Sequence, residues 1–232
     1  MSKHPEFVKQ YPKIIKIWDK YQHIEHTKYT PLLYDAPQDE NGNYIEGAII
    51  FVGINPGFAE KDKANEVFHF SKNRIVNYAG IKYDLDTSDW AYFKAFRNVM
   101  SELKNKYENT NDWGHIDLSF FRETNQKRAE EYYYNKDPNV HGFIWDQLAI
   151  SIELLKAIKP SVIVVCNAFA CKLISNWYKG GLESTYNLKT GLYSMEGIPL
   201  LKAAMLSGQR AMDIGSRERL IWHISRVLKE SK

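Results

Sequence analysis

Cysteine is nearly absent from this sequence of 232 residues, in which only Cys166 and Cys171 occur. Two cysteines are too few for a disulfide framework, and they lack the partners of a zinc or iron–sulfur site. The seven histidines are scattered, without the His-x-x-x-His spacing of metal ligands. We therefore expect a reducing, cytoplasmic compartment, no metal ion and no organic cofactor.

Long apolar runs are also missing. No stretch approaches the roughly 18 residues of a membrane span, and the N-terminus is polar and aromatic rather than signal-like, so we expect no membrane partner. No Gly-x-Gly-x-x-Gly, Walker or Gly-x-Ser-x-Gly motif occurs. The net charge of +3 permits a nucleic-acid partner without requiring one, since duplex-DNA binders usually carry a clearer basic stripe.

Aromatic residues, by contrast, are abundant: the chain contains 15 Tyr, 11 Phe and 6 Trp. They indicate either core packing or surfaces on which bases or sugars stack. The length suits one large domain with a substantial core, and neither a repeat nor a low-complexity tract divides it. We therefore predict a single domain over residues 1–232, with residues 1–46 as an N-terminal helical extension.

Strands and helices alternate in the predicted element order. Buried strands are predicted at Ala48–Val52 and Val162–Cys166, a short strand at Ile116–Phe121, and one or two strands over residues 182–204 with a turn near Gly197. Helices are predicted over residues 5–22, from Ser88 or Asp89, from about Ile144 to before Pro160, over residues 168–178 and from Ser216 as N-cap. Residues 58–87 and 123–141 are predicted loops. This alternation predicts a three-layer α/β/α fold around a central, mostly parallel sheet.

The first buried strand runs into five residues that end it sharply: Gly53, Ile54, Asn55, Pro56 and Gly57. Glycine permits positive φ or a close backbone approach, and proline fixes its own φ and keeps the preceding residue out of the helical region. Asn55 is thereby held at the carboxyl end of a buried strand, where open α/β sheets bind their ligands. The same residues also fit a strand-ending turn in which the amide satisfies only its own backbone.

Further segments follow this motif in a defined order: Phe68-His69-Phe70, the strand from Ile116 to Arg122, Lys159-Pro160 before the second buried strand, and Ser207-Gly208 after a late strand. In this order the chain resembles the uracil-DNA glycosylase superfamily, most closely its mismatch-specific and single-strand-selective branches, whose first motif is Gly-(Ile/Met)-Asn-Pro-Gly. The resemblance covers residues 47 to 230 and is strongest in the first motif. It implies an enzyme that flips a damaged or deaminated base out of DNA and hydrolyses its N-glycosidic bond.

The resemblance assigns Asn55 to hold the attacking water, which an amide orients rather than deprotonates. It places Phe70 where an aromatic ring stacks on the flipped base, a contact worth about 1–3 kcal/mol, although a core phenylalanine fits the sequence equally. Residues that would shape the base pocket around them are Gly53, Ile54, Pro56 and Gly57.

The late motif departs from the family pattern. Where the family has His-Pro-Ser or Asn-Pro-Ser-Gly, this chain has Met-Leu-Ser-Gly at residues 205–208, without the His or Asn that stabilises the leaving base or positions the substrate. Ser207 and Gly208 still suit a DNA phosphate, with Gln209 and Arg210 in the loop that wedges into the duplex. A loop capped by Asp213 before the last helix is the alternative.

In several branches of the family, an Asn at the end of this strand reads the edge of uracil and is followed by an Arg. When that Arg is aligned with Arg122, Asp117 takes the place of the Asn. An ionised Asp only accepts hydrogen bonds, so it suits a base edge that bears an amino group. Alternatively, Asp117 pairs with Arg122 or His115 and reads no base.

The resemblance thus predicts a monomeric glycosylase whose partner is single- or double-stranded DNA. The missing late His or Asn leaves open a second hypothesis, a non-catalytic nucleic-acid or nucleotide-binding module of the same fold, with salt-dependent binding and no abasic product. A third hypothesis is an α/β enzyme that acts on a free nucleoside or other small molecule and has no affinity for DNA.

Overall fold

The computed structural model describes residues 5–32, 36–39, 44–58, 63–66, 69–71, 91–109, 111–178, 181–208 and 211–230, with side chains from residue 10 onward. The described helices are α1 (Pro5–Lys20), α2 (Ala91–Tyr107), α3 (Gln126–Tyr133), α4 (Pro138–Ile158), α5 (Ala168–Trp177) and α6 (Ile214–Glu230). The described strands are β1 (Ile49–Gly53), β2 (Trp113–Asp117), β3 (Val162–Cys166), β4 (Tyr193–Met195) and β5 (Ile198–Ala203). Short 3-10 helices cover Glu25–Lys28 and Leu182–Thr185.

These strands form one sheet in the order β2-β1-β3-β5-β4. β3 pairs in parallel with β1 on one side, where Ile50 lies opposite Ile163, and with β5 on the other. β4 lies at the edge, antiparallel to β5, and is joined to it by a tight turn in which Glu196 and Gly197 both have positive φ. A mostly parallel sheet flanked by helices confirms the predicted α/β class and is compatible with three layers.

Every residue of β1, β2 and β3 is buried. β1 and β3 are apolar and rich in β-branched residues, which suits strands that are covered on both faces. β2 differs because it carries His115 and Asp117 into the sheet, where they are 0 % and 4 % exposed. Burying polar side chains costs free energy unless they are paired, so the end of β2 is a candidate functional region.

The chain divides into two compact units. The first unit comprises Met1–Tyr44, Ile54–Lys82 and Ile116–Ala157, and the second comprises Ile45–Gly53, Tyr83–His115 and Ile158–Lys232. In the second unit α5 packs on β3 and β5, while α6 packs on β3 and α2. None of the described helices is long and apolar enough to cross a membrane.

In the first unit, α1 and α4 pack through aromatic side chains. The rings of Trp18 and Phe143 meet edge-on with their centroids 5.4 Å apart. Gln147 of α4 is fully buried, and its Oε1 accepts hydrogen bonds from the main-chain N–H groups of Phe120 and Phe121 at 2.8 and 3.1 Å. Because an unpaired buried N–H group is costly, Gln147 holds the segment after β2 against α4.

The buried strands and α5 lie within one residue of their predicted bounds, and the prediction for β3 is confirmed residue for residue. The predicted strand from Ile116 to Phe121 is wrong, because β2 ends at Asp117. Beyond that residue, Gln147 rather than a neighbouring strand takes the N–H groups of Phe120 and Phe121. Strand propensity alone does not reveal such a side-chain partner.

The predicted loop over residues 123–141 is also wrong, because it contains α3 and the start of α4. Asn125 caps α3 by accepting a hydrogen bond from the N–H of Arg128 at 3.2 Å. The helix is polar, and Ala129 is the one fully buried residue in it, so its apolar stripe is too narrow to recognise. The last helix begins at Ile214 and not after Ser216, since the carboxylate of Asp213 accepts from the N–H of Ser216 at 2.9 Å.

Several predicted features lie outside the described residues. They are most of the predicted loop over residues 58–87, the predicted cap at Ser88 or Asp89, and Phe68 of the Phe-His-Phe sequence.

Candidate active site

The loop of residues 54–58, called the Asn55 loop below, is tied to residues 118–124, called the partner segment. The N–H of Glu123 donates to the carbonyl oxygen of Pro56 at 3.0 Å. Thr124 makes a second link: its Oγ1 accepts from the N–H of Phe58 at 2.6 Å and donates to the Phe58 carbonyl oxygen. The loop therefore has a defined shape that depends on a segment more than sixty residues away.

The side-chain amide of Asn55 takes part in this link through its nitrogen. Nδ2 donates to the carbonyl oxygen of Glu123 at 2.7 Å and to that of Pro56 at 3.1 Å. Since a carbonyl oxygen only accepts hydrogen bonds, these contacts fix which end of the amide faces the backbone. No described residue donates to Oδ1, and the side chain is partly exposed. Asn55 thus satisfies its own turn with the nitrogen and keeps the oxygen as an acceptor.

Positive φ, one of the two roles predicted for the glycines, does not occur in this motif. Neither Gly53 nor Gly57 has positive φ. A Cβ atom added at Gly57 would lie 3.8 Å from Oγ1 of Thr124, an ordinary contact distance. The loop shape comes from Pro56 and from the hydrogen bonds to the partner segment rather than from the conformational freedom of glycine.

Tyr133 of α3 joins the Asn55 loop to the end of β2. Its hydroxyl group donates to Oγ of Ser119 at 2.8 Å and lies 3.4 Å from the carbonyl oxygen of Ile54. That same carbonyl accepts from the N–H of Ser119 at 2.9 Å. Burial raises the pKa of Tyr133 well above 10; the Ser119 hydrogen bond opposes the shift and the charge of Asp117 adds to it. Asp117 therefore lies within electrostatic reach of a hydroxyl that touches the loop.

Asp117 itself is buried at the carboxyl end of β2. Its main-chain carbonyl oxygen accepts from Oγ of Ser151 on α4 at 2.9 Å. This contact fixes the backbone from which the carboxylate projects. The predicted pairing with Arg122 or His115 stays a prediction.

Phe70 is held through its main chain. Its N–H donates to the carbonyl oxygen of Lys28 at 2.7 Å, and the hydroxyl of Thr30 donates to the carbonyl oxygen of His69 at 3.0 Å. The side chain is partly exposed, and no ring among the described residues stacks on it. Phe70 is thus anchored in the first unit, as Asn55 is, with a ring that is not packed in the core.

A buried pair joins His26 to Glu123 of the partner segment. Nε2 of His26 is 3.5 Å from Oε2 of Glu123, and both residues are less than 10 % exposed. The imidazole ring is confined edge-on by Phe121 and Tyr132, at centroid distances of 5.1 and 4.4 Å. Burial lowers the pKa of His26 below 6.5, and the nearby charge of Glu123 only partly opposes this. The ring is therefore neutral at pH 7.

The late motif belongs to the second unit, whereas Asn55, Phe70 and Asp117 belong to the first. Ser207 is partly exposed, and Gly208 has φ of +86°, a conformation that glycine adopts without strain. Gln209 and Arg210 lie outside the described residues. The second unit also has a cavity of about 340 Å³ between α2 and α6, lined in part by Tyr107 and Trp222.

Comparison of the chain with known proteins does not assign a family. No protein-family model and no curated protein matches the sequence. Among the described residues, no group of three or more His, Cys, Asp or Glu side chains is placed to hold a metal ion. The described site offers four kinds of group for chemistry: an amide oxygen, a buried carboxylate, a tyrosine hydroxyl and a histidine–glutamate pair.

Three of these residues were not predicted from the sequence: His26, Glu123 and Tyr133. Glu123 and Tyr133 fall in the segment that was predicted to be a loop. The Asn125 cap followed by Ala129 at helical spacing is the signal that would have placed Tyr133 on a helix. No sequence signal marks His26, because its partner lies 97 residues further along the chain and only the fold brings them together.

Proposed function

We propose that the chain is a DNA glycosylase of the uracil-DNA glycosylase type, acting on uracil or a related deaminated or damaged base. In this proposal the α/β fold is that of the uracil-DNA glycosylase superfamily. The observation that carries it is the orientation of Asn55, whose Nδ2 is used by two carbonyl oxygens while Oδ1 is left as an acceptor beside a sheet strand's carboxyl end. The Gly-Ile-Asn-Pro-Gly sequence adds support.

In the proposed reaction, the glycosidic bond breaks as positive charge builds on the sugar and negative charge on the departing base. Oδ1 of Asn55 accepts a hydrogen bond from a water molecule and turns a lone pair of that water towards the sugar carbon. An amide is too weak a base to remove the proton before bond cleavage, so Asn55 orients the water. The water adds to the cationic sugar and loses its proton afterwards.

Recognition of the base falls to Phe70 and Asp117 in this proposal. The partly exposed ring of Phe70 stacks on the flipped base. The side-chain oxygens of Asp117 accept hydrogen bonds from the base edge, which favours bases with N–H or amino groups. The main chain of Gly53, Ile54, Pro56 and Gly57 shapes the pocket. DNA phosphates are held by Ser207 and Gly208, with Gln209 and Arg210 in the adjoining loop.

Replacement of Asn55 tests the proposal. Asn55→Ala removes the acceptor that orients the water, so excision should fall by at least about 100-fold while the fold persists. The measurement uses single- and double-stranded oligonucleotides that carry uracil, hypoxanthine or xanthine, followed by alkaline cleavage of abasic product. Asn105→Ala, at an exposed position on α2, is the matched control and should keep full activity. Full activity in Asn55→Ala would refute the assignment.

The Met-Leu-Ser-Gly sequence at residues 205–208 favours a second candidate, a nucleic-acid-binding module without catalysis. It lacks the polar side chain that would stabilise the departing base. Under this alternative the wild-type chain binds the same oligonucleotides and forms no abasic product with any of them.

A further inference from the structure

Glu123 contacts both His26 and Asn55, the first through its side chain and the second through its main chain. Its N–H donates to the carbonyl oxygen of Pro56 at 3.0 Å, and its own carbonyl oxygen accepts from Nδ2 of Asn55 at 2.7 Å. In the side chain, Oε1 accepts from the N–H of Asn125 at 2.8 Å and Oε2 faces Nε2 of His26 at 3.5 Å. A change at the carboxylate is thereby passed to the peptide group that holds the Asn55 amide.

The imidazole of His26 has one nitrogen with a partner and one without. Because Nε2 is the nitrogen that faces the Glu123 carboxylate, the neutral tautomer that suits this site carries its single proton on Nε2. Nδ1 is buried and has no hydrogen-bond partner among the described residues. A buried lone pair without a donor costs little free energy at this site. A proton on Nδ1 would instead create a buried N–H group with no acceptor there.

We propose that His26 and Glu123 are positioning residues that lock the Asn55 amide while His26 is neutral and release it when His26 takes up a proton. The proton binds at Nδ1, and the ring must move to find an acceptor. Because Phe121 and Tyr132 confine the ring edge-on, that movement displaces the Glu123 side chain and with it the peptide group that accepts from Asn55. The consequence for catalysis rests on the proposed function, whereas the structural coupling does not.

The charged and titratable groups that face His26 come from four parts of the first unit. Glu123 of the partner segment and Glu25, the neighbour in the 3-10 helix, favour the protonated ring. Lys63 opposes it, and burial opposes it most strongly. Tyr132 of α3 is next to the ring but stays neutral, because burial and the charges of Glu25 and Glu123 raise its pKa above 10. Because burial lowers the pKa of His26 below its ordinary value of 6.5, the ring takes up its proton, and the amide is released, only at acidic pH.

The structural coupling is tested by NMR without any substrate. The side-chain amide signal of Asn55, identified by its loss in Asn55→Ala, should shift with pH at the same midpoint as the His26 imidazole signal, below pH 6.5. His26→Gln keeps a donor towards Glu123 but cannot take up a proton, so the shift should disappear. His23→Gln, an exposed histidine in the same segment, is the control and should leave the shift intact.

The catalytic consequence is tested by the pH profile of excision. On acidification, kcat should fall about 10- to 100-fold with little change in KM, since misplacement of a catalytic group slows the chemical step. His26→Gln should flatten this acidic limb, and Glu123→Gln should lower kcat at every pH. A purely structural role would lower the melting temperature of both variants and leave the acidic limb where it is in the wild type.

Different results separate the two proposals. The coupling is overturned if the Asn55 amide signal does not shift at the pH midpoint of His26, or if it shifts equally in His26→Gln. The wild-type titration alone decides this if a variant fails to fold. Absence of abasic product with every oligonucleotide overturns the proposed function, while the NMR result still decides whether His26 controls the Asn55 amide.

Discussion

Asn55 shows how a single side chain divides its two polar atoms between structure and chemistry. The amide nitrogen is bound by two carbonyl oxygens, so the side chain has one orientation rather than several. A pre-oriented acceptor does not have to lose side-chain entropy when water or substrate arrives. The hydrogen bonds that hold the amide nitrogen therefore also set the direction of the amide oxygen, which has the proposed catalytic role.

Tyr133 yields a prediction at the same scale. Tyr133→Phe removes the hydroxyl that donates to Ser119, a fully buried residue, and should lower the free energy of unfolding by about 1–2 kcal/mol. Chemical denaturation at neutral pH measures this difference. Tyr186→Phe, at an exposed position, is the control and should have no effect. Equal stability of Tyr133→Phe and the wild type would show that the contact contributes nothing.

The pH dependence of this effect has a defined sign. Folding raises the pKa of Tyr133 above its ordinary value of 10, so the unfolded chain loses the phenolic proton first. The stabilisation by Tyr133 is complete below pH 10 and is lost as the pH rises above it. The stability advantage of the wild type over Tyr133→Phe should therefore shrink in alkaline solution.

The elements of the fold are defined largely by side chains at their ends. α5 begins at Asn167, whose Oδ1 accepts from the N–H groups of Phe169 at 2.7 Å and of Ala170 at 3.4 Å. Asn167 is thus a helix-capping residue, although it also directly follows a buried strand. An asparagine after a strand is thus not by itself evidence of a binding site.

Asn167→Ala tests the cap. The residue is 6 % exposed, so its loss leaves buried N–H groups without an acceptor and should destabilise the fold by about 1–2 kcal/mol. Asn167→Ser restores a capping oxygen and should recover most of the loss. Thermal unfolding followed by circular dichroism gives the comparison, with Asn98→Ala on the exposed face of α2 as control. If Asn167→Ala and Asn98→Ala have the same melting temperature, the cap makes no measurable contribution to stability.

For the whole molecule, charge limits how nucleic acid can be bound. The 31 Lys and Arg residues are nearly balanced by 28 Asp and Glu, so no large excess of positive charge attracts phosphates; under the proposed function, affinity would come mainly from stacking and specific hydrogen bonds. This is consistent with the proposed capture of a single base better than with tight binding along a long duplex.

Salt dependence measures this balance. If about three phosphates are neutralised, affinity for a single-stranded oligonucleotide should fall only about 10- to 20-fold between 50 and 200 mM salt. Fluorescence anisotropy with a labelled strand gives the slope. A drop of about 1000-fold or more over the same range would mean that many more phosphates are bound than this charge suggests.

How far the sequence predicts the fold depends on whether local chemistry decides an element. β1 and β3 were predicted from their continuous apolar runs, and in the structure every residue of both strands is buried. α3 was missed because its sequence is polar, and β2 was overextended because Gln147 takes the N–H groups that a strand partner would otherwise take. In the second error a contact from a distant part of the chain decided the local structure, whereas in the first the local capping signal of Asn125 was overlooked.

The sequence by itself determined the apolar strands, the sharp turn imposed by Pro56 and the presence of an amide directly after β1. Only the tertiary structure decided which way that amide points, because the acceptor is the carbonyl oxygen of Glu123, 68 residues away. It also decided that a neutral histidine lies behind the acceptor. The physical reason is that a hydrogen bond is directional and short, so its partner is set by where the folded chain brings each group and not by the order of residues.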